Sequence, residues 1–148
     1  MKIKLLALVS LIIIISVSCQ KDDDNNNNNY IPNIAFDTQN SIDTSLPQYN
    51  DLQFAGNHLV LNAFGYNAIV IYNVGNGNYV SFELTDPNHA PSDCSRLTVE
   101  GITATCNCED GNSYNIVTGA PFDGTDGNFS LKPYFVEVNG SVIRVYNN

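Results

Sequence analysis

The sequence predicts an all-β domain, a small antiparallel sandwich or barrel of short strands and hairpins. Branched and aromatic residues gather in short runs such as Ala68-Ile69-Val70-Ile71-Tyr72. Tight-turn pairs, among them Glu100-Gly101 and Asn139-Gly140, separate those runs at close intervals. Beyond the first eighteen residues no window spaces its apolar residues as a helix does. Many short strands divided by turns mean a sandwich or barrel.

Ile34-Ala35-Phe36-Asp37 is short and apolar and opens the domain as its first strand. Pro47 to Asp51 is turn-rich and leads into Leu52-Gln53-Phe54. Leu59-Val60-Leu61 is a strand that ends near Phe64-Gly65, and Ala68 to Tyr72 is the strongest strand of the chain. Gly75-Asn76-Gly77-Asn78 is a hairpin turn, and Tyr79-Val80-Ser81-Phe82-Glu83-Leu84 alternates and pairs back across it. Leu97-Thr98-Val99 and Ile102-Thr103-Ala104-Thr105 flank Glu100-Gly101. Ser113-Tyr114-Asn115-Ile116 precedes the turn at Thr118-Gly119. Tyr134 to Val138 and Ser141 to Val145 flank Asn139-Gly140, the clearest hairpin of all.

The amino-terminal stretch has a different character. Lys2 and Lys4 precede an almost wholly apolar run from Leu5 to Val17, the charged start and apolar core of a signal peptide. The run is too short for an ordinary membrane-spanning helix. It stops at Ser18-Cys19, and Gln20-Lys21-Asp22-Asp23-Asp24 follows at once. This join resembles the processing site of bacterial lipoproteins, with Ser16 where that class usually has a large aliphatic residue. The lysine and acids after the cysteine resemble the export tag of Bacteroidetes surface lipoproteins. The resemblance implies a signal peptide over 1–18, a lipid on Cys19 and display on the outer membrane, facing outward. Asn25 to Asn29 is a polar low-complexity run that cannot bury enough apolar surface to fold. Residues 19–30 therefore read as the lipidated cysteine and a flexible acidic and Asn-rich tether, and residues 31–148 as one domain.

Without Lys2 and Lys4, four basic residues face fifteen acidic ones, a net charge of -11 from Cys19 onward. That balance argues against nucleic acid, whose phosphates would repel it, and against direct adsorption to anionic lipid. Export permits disulfides. Cys94, Cys106 and Cys108 lie within the domain, so the residues allow one bridge and one thiol, or a metal site. His89, Cys94, Cys106 and Cys108 are four nitrogen and sulfur groups suited to tetrahedral zinc, although C-x-C stands where zinc knuckles have C-x-x-C. Asp86, Asp93, Glu109, Asp110, Asp123 and Asp126 are loop acids that could meet around calcium, and equally are ordinary turn formers. His58 reads as a turn residue without a role. No spacing orders a Ser, His and Asp into a catalytic triad, and the domain does not read as an enzyme.

Two loops carry all three domain cysteines, Asp86-Pro87-Asn88-His89-Ala90-Pro91-Ser92-Asp93-Cys94 and Cys106-Asn107-Cys108-Glu109-Asp110-Gly111. From about Leu59 to Val145 the chain resembles a Rieske-type domain. Cys106 to Tyr114 is similar to the family's C-P-C-H-G-S-x-[FY] loop. Ile116-Val117-Thr118-Gly119-Ala120-Pro121 is similar to its aliphatic-x-T-G-x-P turn, and Leu131 to Val138 to its closing L-x-x-Y-x-V-x-V strand. A Rieske 2Fe-2S centre takes two cysteines and two histidines, from C-x-H and C-x-x-H loops. On that pattern Cys106 keeps a ligand place, and Glu109 stands at the histidine position with one residue inserted before Gly111. His89 and Pro91 fall on the two ligand places of the first loop. The resemblance thus implies the fold with a degenerate ligand set. It also implies a disulfide between Cys94 and Cys108, which match the cysteines that staple the two loops in some members. Such a bridge closes a loop of about fifteen residues, worth roughly 3 kcal/mol. Cys94 to Cys106 is the other pairing considered, and Cys106 is the leftover thiol on the first.

Two functions stay open on the sequence. In the first, the cluster is lost and no cofactor is bound. The domain is then a disulfide-stapled structural or binding module whose former cluster loops, with Asp93 and Glu109, meet an envelope or cell-surface protein. In the second, a rearranged ligand set holds zinc or a 2Fe-2S cluster and the lipoprotein transfers electrons or senses redox state.

Overall fold

The computed structural model describes residues 30–148. The signal peptide, Cys19 and most of the tether lie outside the described residues. Ten strands follow in order: β1 (Phe36–Asp37), β2 (Ile42–Asp43), β3 (His58–Leu61), β4 (Ile69–Gly75), β5 (Asn78–Glu83), β6 (Leu97–Glu100), β7 (Thr103–Cys106), β8 (Ser113–Asn115), β9 (Phe135–Asn139) and β10 (Val142–Asn147). A 3-10 helix over Pro47–Gln53 is the one helical segment among the described residues. The fold is all-β, and every strand pairing is antiparallel.

The strands make three sheets. One has the order β1-β10-β2 with β9 also on β10, the second runs β3-β4-β5, and the third β6-β7-β8. The strongest apolar run explains the core. Ala68 and Val70 face one cluster with Phe82, Leu84, Leu97, Ala104, Cys106, Tyr114, Ile116 and Leu131. Ile69 and Ile71 face a second cluster with Ile42, Leu52, Tyr134, Ile143 and Val145. A strand buried on both faces reads as an unbroken apolar run rather than an alternation. Its hairpin with β5 turns through Gly75, Asn76 and Gly77, all at positive φ (97°, 55° and 75°), which is the conformation that selects Gly and Asn.

β2 has no counterpart in the sequence reading. It is two residues long and is held by register with β10, Val142 opposite Asp43 and Ile143 opposite Ile42. The turn-rich stretch from Pro47 winds into a 3-10 helix that continues to Gln53, with Pro at its start and its own Leu52 buried. His58 is not a turn residue: it opens β3 opposite Tyr72.

A short strap, residues 131–134, ties the sheets together. Leu131 N–H donates to Gly119 O (2.8 Å), Glu83 N–H to Lys132 O (2.9 Å) and Tyr134 N–H to Ser81 O (2.9 Å). At the far end of β5 the chain runs alongside β6: Leu97 N–H donates to Leu84 O and Asp86 N–H to Ser95 O. These bonds bring the loop that starts at Asp86 against the loop that starts at Cys106.

Candidate functional site

Asp86 anchors the first loop. Its Oδ1 accepts from Asn88 N–H (2.7 Å), an Asx turn, and from the Tyr114 hydroxyl (2.7 Å). Asn88 then reaches across to the 124–130 connection. Its Nδ2 donates to Phe129 O and its Oδ1 accepts from Phe129 N–H, each at 2.9 Å. Gly127 passes so close to this amide that a Cβ there would collide with it. The loop is thus pinned from both sides, and His89 projects from its turn.

His89 is held by its neighbours. Nδ1 lies 3.0 Å from Ala90 O, which fixes Nδ1 as the donor and turns Nε2 the other way. Nε2 lies 3.1 Å from Asp110 Oδ2, 3.5 Å from Cys106 Sγ and 3.7 Å from Asp86 Oδ2. The His89 side chain is 27 % exposed and that of Asp110 21 %, so the group is partly open to solvent.

Cys94 and Cys108 form a disulfide across the two loops, with S–S 2.07 Å and Cα–Cα 4.9 Å. It is the bridge that the resemblance implies, and it excludes the Cys94 to Cys106 pairing. Cys106 is a buried free thiol. Burial pushes it up to about 12, against the Cys108 N–H that donates to its sulfur, and the Asp86 and Asp110 carboxylates push it further the same way. At neutral pH Cys106 is a thiol and a poor nucleophile. Tyr114 is raised too, first by burial and then by Asp86.

Zinc on His89, Cys94, Cys106 and Cys108 does not survive as a set, because Cys94 and Cys108 are bonded to each other. Asp110 joins instead. The donor atoms of His89, Cys106, Cys108 and Asp110 all lie within 4.8 Å of one another, the one such group among the described residues. Glu109, the residue that the resemblance sets at the histidine position, is exposed, and its neighbour Asp110 lies inward instead. Asp93, Asp123 and Asp126 are also exposed and join no such group among the described residues, so of the loop acids only Asp86 and Asp110 meet, on either side of His89. The donors do not match a Rieske centre either. That centre needs two cysteines and two histidines, and these loops offer one unbridged cysteine, one histidine and two carboxylates.

Sequence reasoning took Asp86 for one loop acid among several and missed its burial. It is 0 % exposed. Its Oδ2 and Ser81 Oγ are the two buried side-chain polar atoms among the described residues with no hydrogen-bond partner. The signal available was slight: an acid before Pro87 and Asn88 reads as an exposed turn.

No protein-family model and no curated protein matches the chain. Among solved structures, it is similar to a chain of the complex of reduced oxygenase and oxidized ferredoxin in carbazole 1,9a-dioxygenase. That match has 26% identity over 62% of this chain and 82% of that one, at a TM-score of 0.41. It is also similar to the ferredoxin of carbazole 1,9a-dioxygenase from Nocardioides aromaticivorans, with 17% identity over 64% of this chain and 88% of that one, at a TM-score of 0.40.

Proposed function

We propose that this chain is a lipoprotein anchored through Cys19 in the outer membrane of a Bacteroidetes-type cell. Its domain, built on the Rieske plan, faces outward as a disulfide-stapled binding module without a 2Fe-2S centre. One observation supports the loss of the cluster: outside the Cys94–Cys108 bridge the two loops offer one free cysteine and one histidine, where the centre needs two of each. The sequence join at Cys19 supports the anchor, and the acidic tether supports outward display. On this reading the module binds rather than catalyses, through loops held on a rigid sheet scaffold. Its contact surface is the pair of loops from Asp86 to Cys94 and Cys106 to Asn112, and the exposed Asp93 and Glu109 favour a basic patch on an envelope or cell-surface protein.

Mass spectrometry of the full chain, extracted in detergent, tests this reading. The expected product carries a lipid on Cys19, one disulfide, one thiol and neither iron nor sulfide. Two irons and two sulfides per chain, with visible absorption, would place the protein among electron carriers and sink the proposal. Protease added to whole cells should digest the domain, and full protection would mean that it faces inward. Asp93→Asn and Glu109→Gln should weaken capture of the partner with the fold intact.

A further inference from the structure

We infer that His89, Cys106, Asp110 and Asp86 form a mononuclear site for a divalent zinc-type ion, independent of any 2Fe-2S centre. Two separate observations meet here. The first is distance. Bonds of about 2.0 Å to nitrogen and oxygen and 2.3 Å to sulfur make a tetrahedron whose edges are about 3.3 Å, or about 3.5 Å where the sulfur takes part, and a shift of a few tenths of an ångström brings the observed edges to these values. The edges from His89 Nε2 are 3.1, 3.5 and 3.7 Å, to Asp110 Oδ2, Cys106 Sγ and Asp86 Oδ2. The second is the unpartnered buried oxygen of Asp86, which faces this group. A buried carboxylate oxygen without a hydrogen-bond donor costs stability unless a cation serves it.

The surroundings fit ligation. Ala90 O receives the Nδ1 proton and leaves the Nε2 lone pair for a metal, while Tyr114 and Asn88 hold Asp86 through its other oxygen. One nitrogen, one sulfur and two oxygens suit zinc, whose filled d shell imposes no geometry of its own. Binding breaks the Cys106 S–H bond and releases that proton to solvent, and the thiolate supplies the pair for the Zn–S bond. No electron is transferred, and the Cys94–Cys108 bridge stays intact. With four protein ligands the site is closed, so the ion ties the two loops together and offers no open position to a substrate.

Cobalt(II) and zinc(II) titrations of the full chain in detergent, in oxidising buffer, test the site. The expected result is one ion per chain, a sulfur-to-cobalt charge-transfer band, and displacement of the cobalt by zinc. Cys106→Ser should abolish that band. Asp110→Asn keeps an amide oxygen to accept from Asn112 N–H, so the turn is preserved, and it should weaken binding at least tenfold, as should Asp86→Asn. Asp123→Asn, at an exposed acid outside the group, should bind as the parent does. No stoichiometric ion, or binding that persists unchanged in both Cys106→Ser and Asp110→Asn, overturns the inference.

Discussion

Glu83 and Asp86 are three residues apart and both wholly buried, yet they solve the problem of a buried carboxylate in opposite ways. Glu83 has every position filled. Its Oε2 accepts from Tyr66 N–H (2.7 Å) and the Tyr134 hydroxyl (2.6 Å), and its Oε1 from Asn67 N–H (2.9 Å) and the Thr85 hydroxyl (2.6 Å). Gly65 sits so close to Oε2 that any side chain there would displace it. Asp86 has only Oδ1 filled, and its other oxygen faces a histidine and a thiol. A satisfied carboxylate is a structural knot. A half-satisfied one marks where the fold has left room for something else.

That contrast can be broken most sharply at Glu83. Glu83→Leu strands two backbone N–H groups and two hydroxyls, and should cost about 3–5 kcal/mol in urea unfolding. A loss below about 1 kcal/mol would mean that the knot carries little. Next comes the staple. Replacing Cys94 and Cys108 by serine should cost about 3 kcal/mol. Hydrogen exchange should then quicken across residues 86–95 and 106–112 while the Tyr66 and Asn67 amides stay protected. Equal quickening at both places would show that the two carboxylates share one cooperative unit. Asp86→Asn should cost less than about 1 kcal/mol in metal-free buffer, because the amide oxygen still accepts from Tyr114 and Asn88. A cost matching that of Glu83→Leu would erase the distinction.

The smallest effect belongs to an exposed acid that sharpens the comparison from outside. Arg144 and the Gln39 N–H hold Asp37 at about 2, below its ordinary 3.8. The folded value is the lower one, so its contribution is complete above about 3.8 and disappears as pH falls through 2. Asp37→Asn should lower the melting temperature slightly at pH 5, with the gap to the parent closing near pH 2.

The hairpins were legible because each carries its own signal. β4 announces itself through residues buried on both faces, and β9–β10 through Asn139-Gly140. β2 was not legible, because Ile42 and Asp43 become a strand only when β10 lies beside them. The site was half legible. Cysteine and histidine are rare enough here to be noticed, which led to His89 and Cys106. Asp110 needed the loop's path, which decides whether it or Glu109 turns inward. Asp86 needed its burial, and nothing about an acid in a Pro- and Asn-rich segment foretells 0 % exposure.

The first strand of the domain pairs with the last: Phe36 lies opposite Asn147, and Val145 N–H donates to the Thr38 hydroxyl 107 positions away. A chain delivered amino end first therefore cannot close this sheet until its final residues arrive. Its second core, which needs Ile143 and Val145, waits equally long. Such a chain stays open along its length until β10 is in place and locks in a single late step.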